Sequence, residues 1–216
     1  MRIAFFKKIA SYFYPLLIKN FSSEHNGLLE LSLQNGKLVV DSANANYSYG
    51  LLHNLFREVL AEFTLDRTVQ EVLVLGFGAG SIAKILVEEK NLDLHISGVE
   101  IDPVMIEIYT EYFKTNSSAI QVYQEDALSF LKNTTNYYDL ILIDVFEDTQ
   151  VPKELLNIEF VELLKKHSKS TTGIAMNTML SKEDAFVKLW MDSFGSAAYN
   201  KNYHLHNLVL FKKAGN

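Results

Sequence analysis

Gly76, Gly78 and Gly80 directly follow an apolar run at residues 72–75. Glycines at that spacing let a backbone turn tightly and come close to a ligand, and a helix starting near Ile82 would add unpaired N–H groups. Glu100 closes the next apolar run, twenty positions after Gly80, where a carboxylate can take both hydroxyls of a ribose. Asp126 and Ala127 follow the third run, and there a carboxylate can accept from an adenine amino group while a backbone N–H meets the ring. Asp144 ends the fourth run, with Glu147 and Asp148 soon after it. A carboxylate at the carboxyl end of a sheet can take the proton that an amine sheds when it attacks the carbon beside a sulfonium. Glu147 and Asp148 would raise neighbouring carboxyl pKa values or attract a cation.

Each feature also has a purely structural reading. The glycine turn could serve only to pack a helix on a strand, Asp144 could cap a loop or helix, and Glu147 and Asp148 could be solvated loop charges. The spacing narrows the choice of nucleotide. A dinucleotide turn wants G-x-G-x-x-G, whereas here the glycines read G-x-G-x-G and Ser81 takes the third dinucleotide position. With Asp126-Ala127, that favours S-adenosylmethionine over NAD. Phe77, Phe146, Tyr47 and Tyr49 could offer aromatic faces to a cation, although packing explains each of them equally well. His53, His167, His204 and His206 show no metal-ligand pattern, so no metal is expected.

The elements that must position these residues follow from the hydrophobic rhythm. From Glu71 onward, short β-branched runs alternate with helical stretches, the pattern of βαβ units in a parallel sheet. Strands are expected at 72–75, 94–99, 120–123, 140–143 and 172–176. A run at 207–211 completes the sheet at its edge, with 197–199 a weaker candidate beside it. Upstream, Gln34-Asn35-Gly36 separates two apolar runs and predicts a small β-hairpin over residues 28–40. Leu51, Leu52, Leu55, Phe56, Val59 and Leu60 recur at helical spacing. So do Phe5 or Phe6, Ile9, Phe13 and Leu16 or Leu17, which predict an amphipathic amino-terminal helix. That helix could pack on the domain, on a dimer mate or on an anionic membrane surface. Pro15 and the lysines interrupt it before it could span a bilayer, and no A-x-A-like cleavage site follows.

Length and composition set the bounds. The 216 residues allow one α/β domain with a small appendage: an accessory part over residues 1–65 and a nucleotide-binding part over residues 66–216. A chain without cysteine has no disulfides, thiolate nucleophile or Cys-ligated zinc, which fits a cytoplasmic protein. The net charge of −6 gives no electrostatic case for nucleic acid and suits a small or cationic partner. The first twenty residues run against that balance, with Arg2, Lys7, Lys8 and Lys19 and no acid.

The order of these motifs resembles the spermidine synthase-like branch of the S-adenosylmethionine-dependent methyltransferase superfamily. VLVLGFGAG (72–80), GVEIDP (98–103), EDA (125–127) and YDLILIDVFEDTQVP (138–152) carry the resemblance, followed by EFVELLKK (159–166) and Asn177. It implies a Rossmann-like class I methyltransferase sheet, mostly parallel with an antiparallel edge strand, preceded by an N-terminal helix and small β-hairpin. It also implies that the glycine loop cradles the nucleotide, Glu100 binds ribose and Asp126 binds adenine. Asp144 takes the place of the family's catalytic Asp, and Glu147 falls where a second acid would be. The chain departs from the strict aminopropyltransferases at Ala79, where they carry an Asp that holds the donor's amino group. It also lacks the acid of their Y-H-E motif around Tyr47 to His53, and its hairpin part is smaller.

These departures put methyl transfer to an amine or other small nucleophile first. Aminopropyl transfer from decarboxylated S-adenosylmethionine to a polyamine comes second, with Asp144 and Glu147 as catalytic residues in either case. A non-catalytic nucleotide-binding scaffold, docked through residues 1–20, is a reading from a different class. A homodimer through the apolar amino-terminal helix is a further expectation.

Overall fold

The computed structural model describes residues 5–42, 46–48, 51–115, 117, 119–147, 150–203 and 207–213. Tyr49, Asp148, His204 and His206 lie outside them, as does the side chain of Tyr47.

The described residues build two sheets. The first is antiparallel, in the order β1 (Leu16–Ser23), β2 (Gly27–Gln34), β3 (Lys37–Ser42) and β4 (Asn46–Ser48). Asn35 and Gly36 make its expected tight turn, both with positive φ, as a two-residue hairpin requires. The sheet is larger than the hairpin expected from sequence because Leu16–Ser23 is a strand and not the end of a helix. Among the described residues helix α1 covers Phe5–Ala10. Pro15 lacks an N–H and biases its predecessor away from helical backbone, so the helical spacing of Leu16 and Leu17 is accidental.

After α2 (Leu51–Leu60) the second sheet begins. Its strands in chain order are β5 (Glu71–Leu75), β6 (His95–Glu100), β7 (Ile120–Gln124), β8 (Tyr138–Ile143), β9 (Ser168–Thr178), β10 (Ala198–Asn202) and β11 (Leu208–Lys212). Their spatial order is β10-β11-β9-β8-β5-β6-β7. The five strands β9, β8, β5, β6 and β7 are parallel, and β11 and β10 are antiparallel additions. The fold is therefore the expected Rossmann-like, mostly parallel sheet. One placement differs: the run expected at the edge, β11, lies inside it, and Ala198–Asn202 forms the edge. Leu208 to Phe211 are fully buried, whereas Asn200, Lys201 and Asn202 suit an exposed margin.

Helices cover both faces. On one lie α5 (Ala127–Asn133), α6 (Ile158–Lys166) and α7 (Ala185–Phe194), which bury Phe130, Phe160 and Trp190. On the other lie α2, α3 (Ser81–Lys84) and α4 (Pro103–Ile108), together with the inner face of the small sheet through Phe21, Leu29, Leu31 and Val40. Both α3 and α4 run on into single π-helical turns, Ile85–Glu89 and Tyr109–Phe113.

Candidate active site

Strand β5 stands where the chain order reverses, between β6 and β8, and in open α/β sheets the crevice beyond the carboxyl ends at that point is the usual ligand site. A cavity of about 1240 Å³ opens there. Gly76, Gly78, Glu100, Asp126, Ala127, Asp144 and Glu147 all line it. Gly80 does not line it; its place is under the turn, against the Tyr109 ring, 2.7 Å from where a Cβ would stand.

The glycine turn is built by close approach. Gly76 has φ +77°, and a Cβ there would stand 2.2 Å from the Asp144 carbonyl oxygen, so only glycine lets β5 and β8 end side by side. The N–H groups of Gly76 and Phe77 donate to Val99 O at 3.0 and 2.9 Å, which locks the turn onto β6. Phe77 is buried against Gly98 and edge-on to Tyr109. It packs the turn and, though it lines the cavity, leaves only 3% of its surface open. Phe146 is half-buried at the cavity.

Glu100 is buried at the end of β6 and accepts from the N–H of Gly78 at 2.7 Å and of Asp102 at 3.0 Å. Burial pushes its pKa up, with the two N–H donors acting against that rise. Each carboxylate oxygen can accept twice, so both keep capacity for a ribose hydroxyl. Asp126 is exposed and caps α5, its Oδ1 accepting the Ser129 N–H at 2.8 Å; Oδ2 is left for a ligand. Ala127 lines the cavity and is buried.

Asp144 follows β8. Its backbone N–H donates to Leu75 O at 2.8 Å, and its Oδ1 accepts from Asn177 Nδ2 at 2.9 Å. Burial pushes its pKa up to about 7, against the Asn177 hydrogen bond and with help from the Glu100 charge. Asn177 is itself buried, in β9, and its Oδ1 is among the buried polar atoms without a partner, as is Ser81 Oγ at the start of α3. Both residues line the cavity. Glu147 is exposed at the rim, in a one-pair antiparallel bridge to Gln150.

Sequence reasoning missed how the small sheet reaches the site. Asp102 is fully buried and accepts from Ser23 Oγ at 2.6 Å, Asn26 Nδ2 at 2.5 Å and the Val104 N–H at 2.8 Å. It thus caps α4 and ties down the β1–β2 turn, so that Glu24, His25 and Asn26 form a wall of the cavity. The cap was legible, since Asp102 precedes Pro103 at the first helical position. The partners, 76 and 79 positions away, were not. Sequence reasoning also gave Asn177 no role.

The cavity is strongly anionic. Among the described residues eight carboxylates line it, those of Glu24, Glu58, Glu100, Glu125, Asp126, Asp144, Glu147 and Glu154. Arg57, the one arginine among the described lining residues, is committed to Glu89 through two hydrogen bonds of 2.6 and 2.8 Å. Such a lining attracts cations and disfavours phosphates. His53 pairs with the same Glu89, and His167 bonds the Asn136 and Leu131 carbonyls. Among the described residues no cluster of histidines and acids could hold a metal.

Comparison with known proteins adds a lineage to this geometry. The probable polyamine aminopropyl transferase of Bifidobacterium longum is 26% identical over 155 residues, 71% of this chain and 34% of that protein. The polyamine aminopropyltransferase of Alkaliphilus metalliredigens is 33% identical over 101 residues, 44% of this chain and 35% of that protein. The matched segments thus span about a third of the length of these relatives. Among solved structures, a probable spermidine synthase from Corynebacterium glutamicum superposes with a TM-score of 0.76 at 16% identity, over 91% of this chain and 80% of that one, a likeness of fold. The family model described as the spermine/spermidine synthase domain matches residues 54–184, a stretch that carries the glycine turn, Glu100, Asp126, Asp144 and Asn177. With more than half of its length so matched, the chain belongs to the spermine/spermidine synthase domain family.

Proposed function

We propose that the chain is a transferase that moves the aminopropyl group of decarboxylated S-adenosylmethionine to an amine of the polyamine class. The observation that carries this reading is Asp144, a carboxylate with its pKa pushed up to about 7 and fixed by Asn177, in a cavity lined by acids. The names of the relatives support the aminopropyl group as cargo. They reverse the order given by sequence alone, in which Ala79 put methyl transfer first. Ala79 is 1% exposed in the core and is not part of the cavity lining, which weakens it as a guide to the donor.

The residues present fit a sulfonium nucleoside. Glu100 would hold the ribose, Asp126 the adenine amino group, and the backbone of Gly76 and Gly78 allows close approach. When bound, the donor supplies an electrophilic carbon beside a positively charged sulfur. Asp144 would do the rest of the chemistry: it orients the acceptor amine and takes its proton as nitrogen bonds to carbon, while the carbon–sulfur bond breaks and the nucleoside leaves as a neutral thioether. A base with a pKa near working pH is well matched to that transfer, and the fixed geometry supplies much of the rate. Glu147, at the rim, draws the distal ammonium of the acceptor inward. On this reading residues 66–216 bind the donor and residues 1–65 complete the acceptor side.

The test is to incubate the protein with putrescine and either donor, reading products by mass spectrometry and donor affinity by calorimetry. Aminopropylated putrescine from the decarboxylated donor alone, with tighter binding of that donor, is the expected result. Methylated amine from S-adenosylmethionine would restore methyl transfer, and binding of either donor without product would point to a scaffold.

A further inference from the structure

The amino-terminal segment keeps its rings in solvent. Helix α1 has no buried residue, and Phe6 and Phe13 are 82% and 80% exposed. Phe5, Ile9, Tyr14 and Leu17 are exposed beside them. Polar bonds hold the segment in place instead. The Ser11 hydroxyl donates to Lys8 O at 2.7 Å and accepts the Gly36 N–H at 2.9 Å, while Ser11 O accepts the Asn35 N–H at 2.9 Å. The β2–β3 turn thus clamps a short helix whose apolar side chains have no core to enter.

Charge indicates what covers this face. The first twenty residues carry four basic side chains and no acid, in a chain with a net charge of −6. Lys7 and Lys8 are exposed among the rings, whereas Lys19 is engaged by Glu107 and Glu111. In a twofold dimer the same patch would meet itself. Lys7 and Lys8 would then face their own copies with no acid in the segment to offset them. An anionic surface has no such conflict, and aromatic rings mixed with lysines are what the interface of a bilayer accepts.

We propose that this face docks on an anionic lipid surface, with the phenylalanine rings at the boundary between headgroups and acyl chains and Lys7 and Lys8 against lipid phosphates. Strand β1 leads from this face to Ser23, beside Glu24 at the cavity wall, about 25 Å at the rise of a β-strand. Docking therefore leaves the cavity untouched. Among the described residues no helix is long and apolar enough to cross a membrane, so the contact is peripheral.

The test is co-sedimentation of the full chain with vesicles of phosphatidylcholine alone and of phosphatidylcholine mixed equally with phosphatidylserine. Binding to the mixed vesicles should be about tenfold tighter or more and should fall as salt rises. Lys7→Gln with Lys8→Gln should weaken it about thirtyfold. Phe6→Ser with Phe13→Ser should abolish it, and both variants should keep the parent's circular dichroism and donor affinity. Equal binding to the two lipids, or none, overturns the proposal. So does a parent chain that sediments as a dimer and becomes a monomer on Phe6→Ser with Phe13→Ser, which would assign the face to a second copy.

Discussion

In the seven-stranded sheet the central strands are buried on both faces, Val72 to Leu75 and Leu140 to Ile143 with almost no exposure. In the four-stranded sheet, by contrast, β1 has only Phe21 and Ser23 buried, and exposed positions are interleaved with buried ones along β2. Burial on both faces makes the large sheet a rigid frame. It fixes Gly76, Glu100, Asp144 and Asn177 at strand ends that cannot move independently. The small sheet, with β1 mostly exposed, delivers a turn to the cavity through Asp102 and offers an apolar patch at its far end. The frame should therefore carry the chemistry and most of the stability, and the small sheet should tune binding.

The largest effect expected within the frame is on turnover. Asp144→Asn should lower it by roughly a hundredfold to ten-thousandfold while leaving donor affinity within a few-fold. The unmodified chain should gain rate with pH and level off above about 7, as Asp144 gives up its proton. Steady-state rates over pH 5–9 should show that rise, and the variant should lack it. A variant with parental turnover would remove Asp144 from the mechanism.

Next in size is a backbone contrast between the two regions. At Gly76 a Cβ would collide with the Asp144 carbonyl, whereas at Gly27, also at positive φ, nothing lies within 4 Å. Gly76→Ala should cost about 3 kcal/mol or more, enough to prevent folding of a marginal domain, and Gly27→Ala about 1 kcal/mol. Denaturant titration of the two variants measures the difference, and equal losses would break the comparison.

Ser23→Ala cuts the tie between the small sheet and Asp102. A bond to a buried carboxylate is worth about 1.5–3 kcal/mol. The variant should lose stability in that range and bind acceptor more weakly, while the rate at saturating substrates stays near the parent's. A loss of rate with unchanged affinity would place the turn in the chemistry instead.

A separate effect is on stability against pH. Asp144 titrates near 7 when folded and near the ordinary carboxyl value when unfolded. Between those values the folded state holds a proton that the unfolded state has released, so raising pH through that window lowers stability. Asp144→Asn should remove this slope, making the variant more stable than its parent at pH 8 by up to about 4 kcal/mol, since each pH unit between those values is worth about 1.4 kcal/mol, and no more stable at pH 4. Melting curves at the two values read the difference.

The frame was legible because its signals are local and strong. Runs such as Val72 to Leu75 and Leu140 to Ile143 can hardly be anything but buried strands, and the glycines and acids fall just beyond them. The small sheet was legible only at Asn35-Gly36, where turn chemistry speaks for itself. At Leu16 and Leu17 apolar spacing suggested a helix, and the strand became visible only once β2 stood beside it in register, Leu16 opposite Leu33. The relative order of β10 and β11 was equally out of reach, because sheet order depends on which strand the neighbouring helices can cover.

The candidate site divides in the same way. Sequence by itself determined the parallel frame, the glycine turn and the strand-end positions of Glu100, Asp126 and Asp144, since each depends on residues a few positions away and on the direction of a strand. Tertiary structure decided what those residues meet. Asn177 reaches Asp144 across 33 positions, the β1–β2 turn reaches Asp102 across more than 70, and Ala79 faces the core instead of the cavity. Such contacts follow from packing between elements, and a pattern along one chain carries no record of which element will be its neighbour.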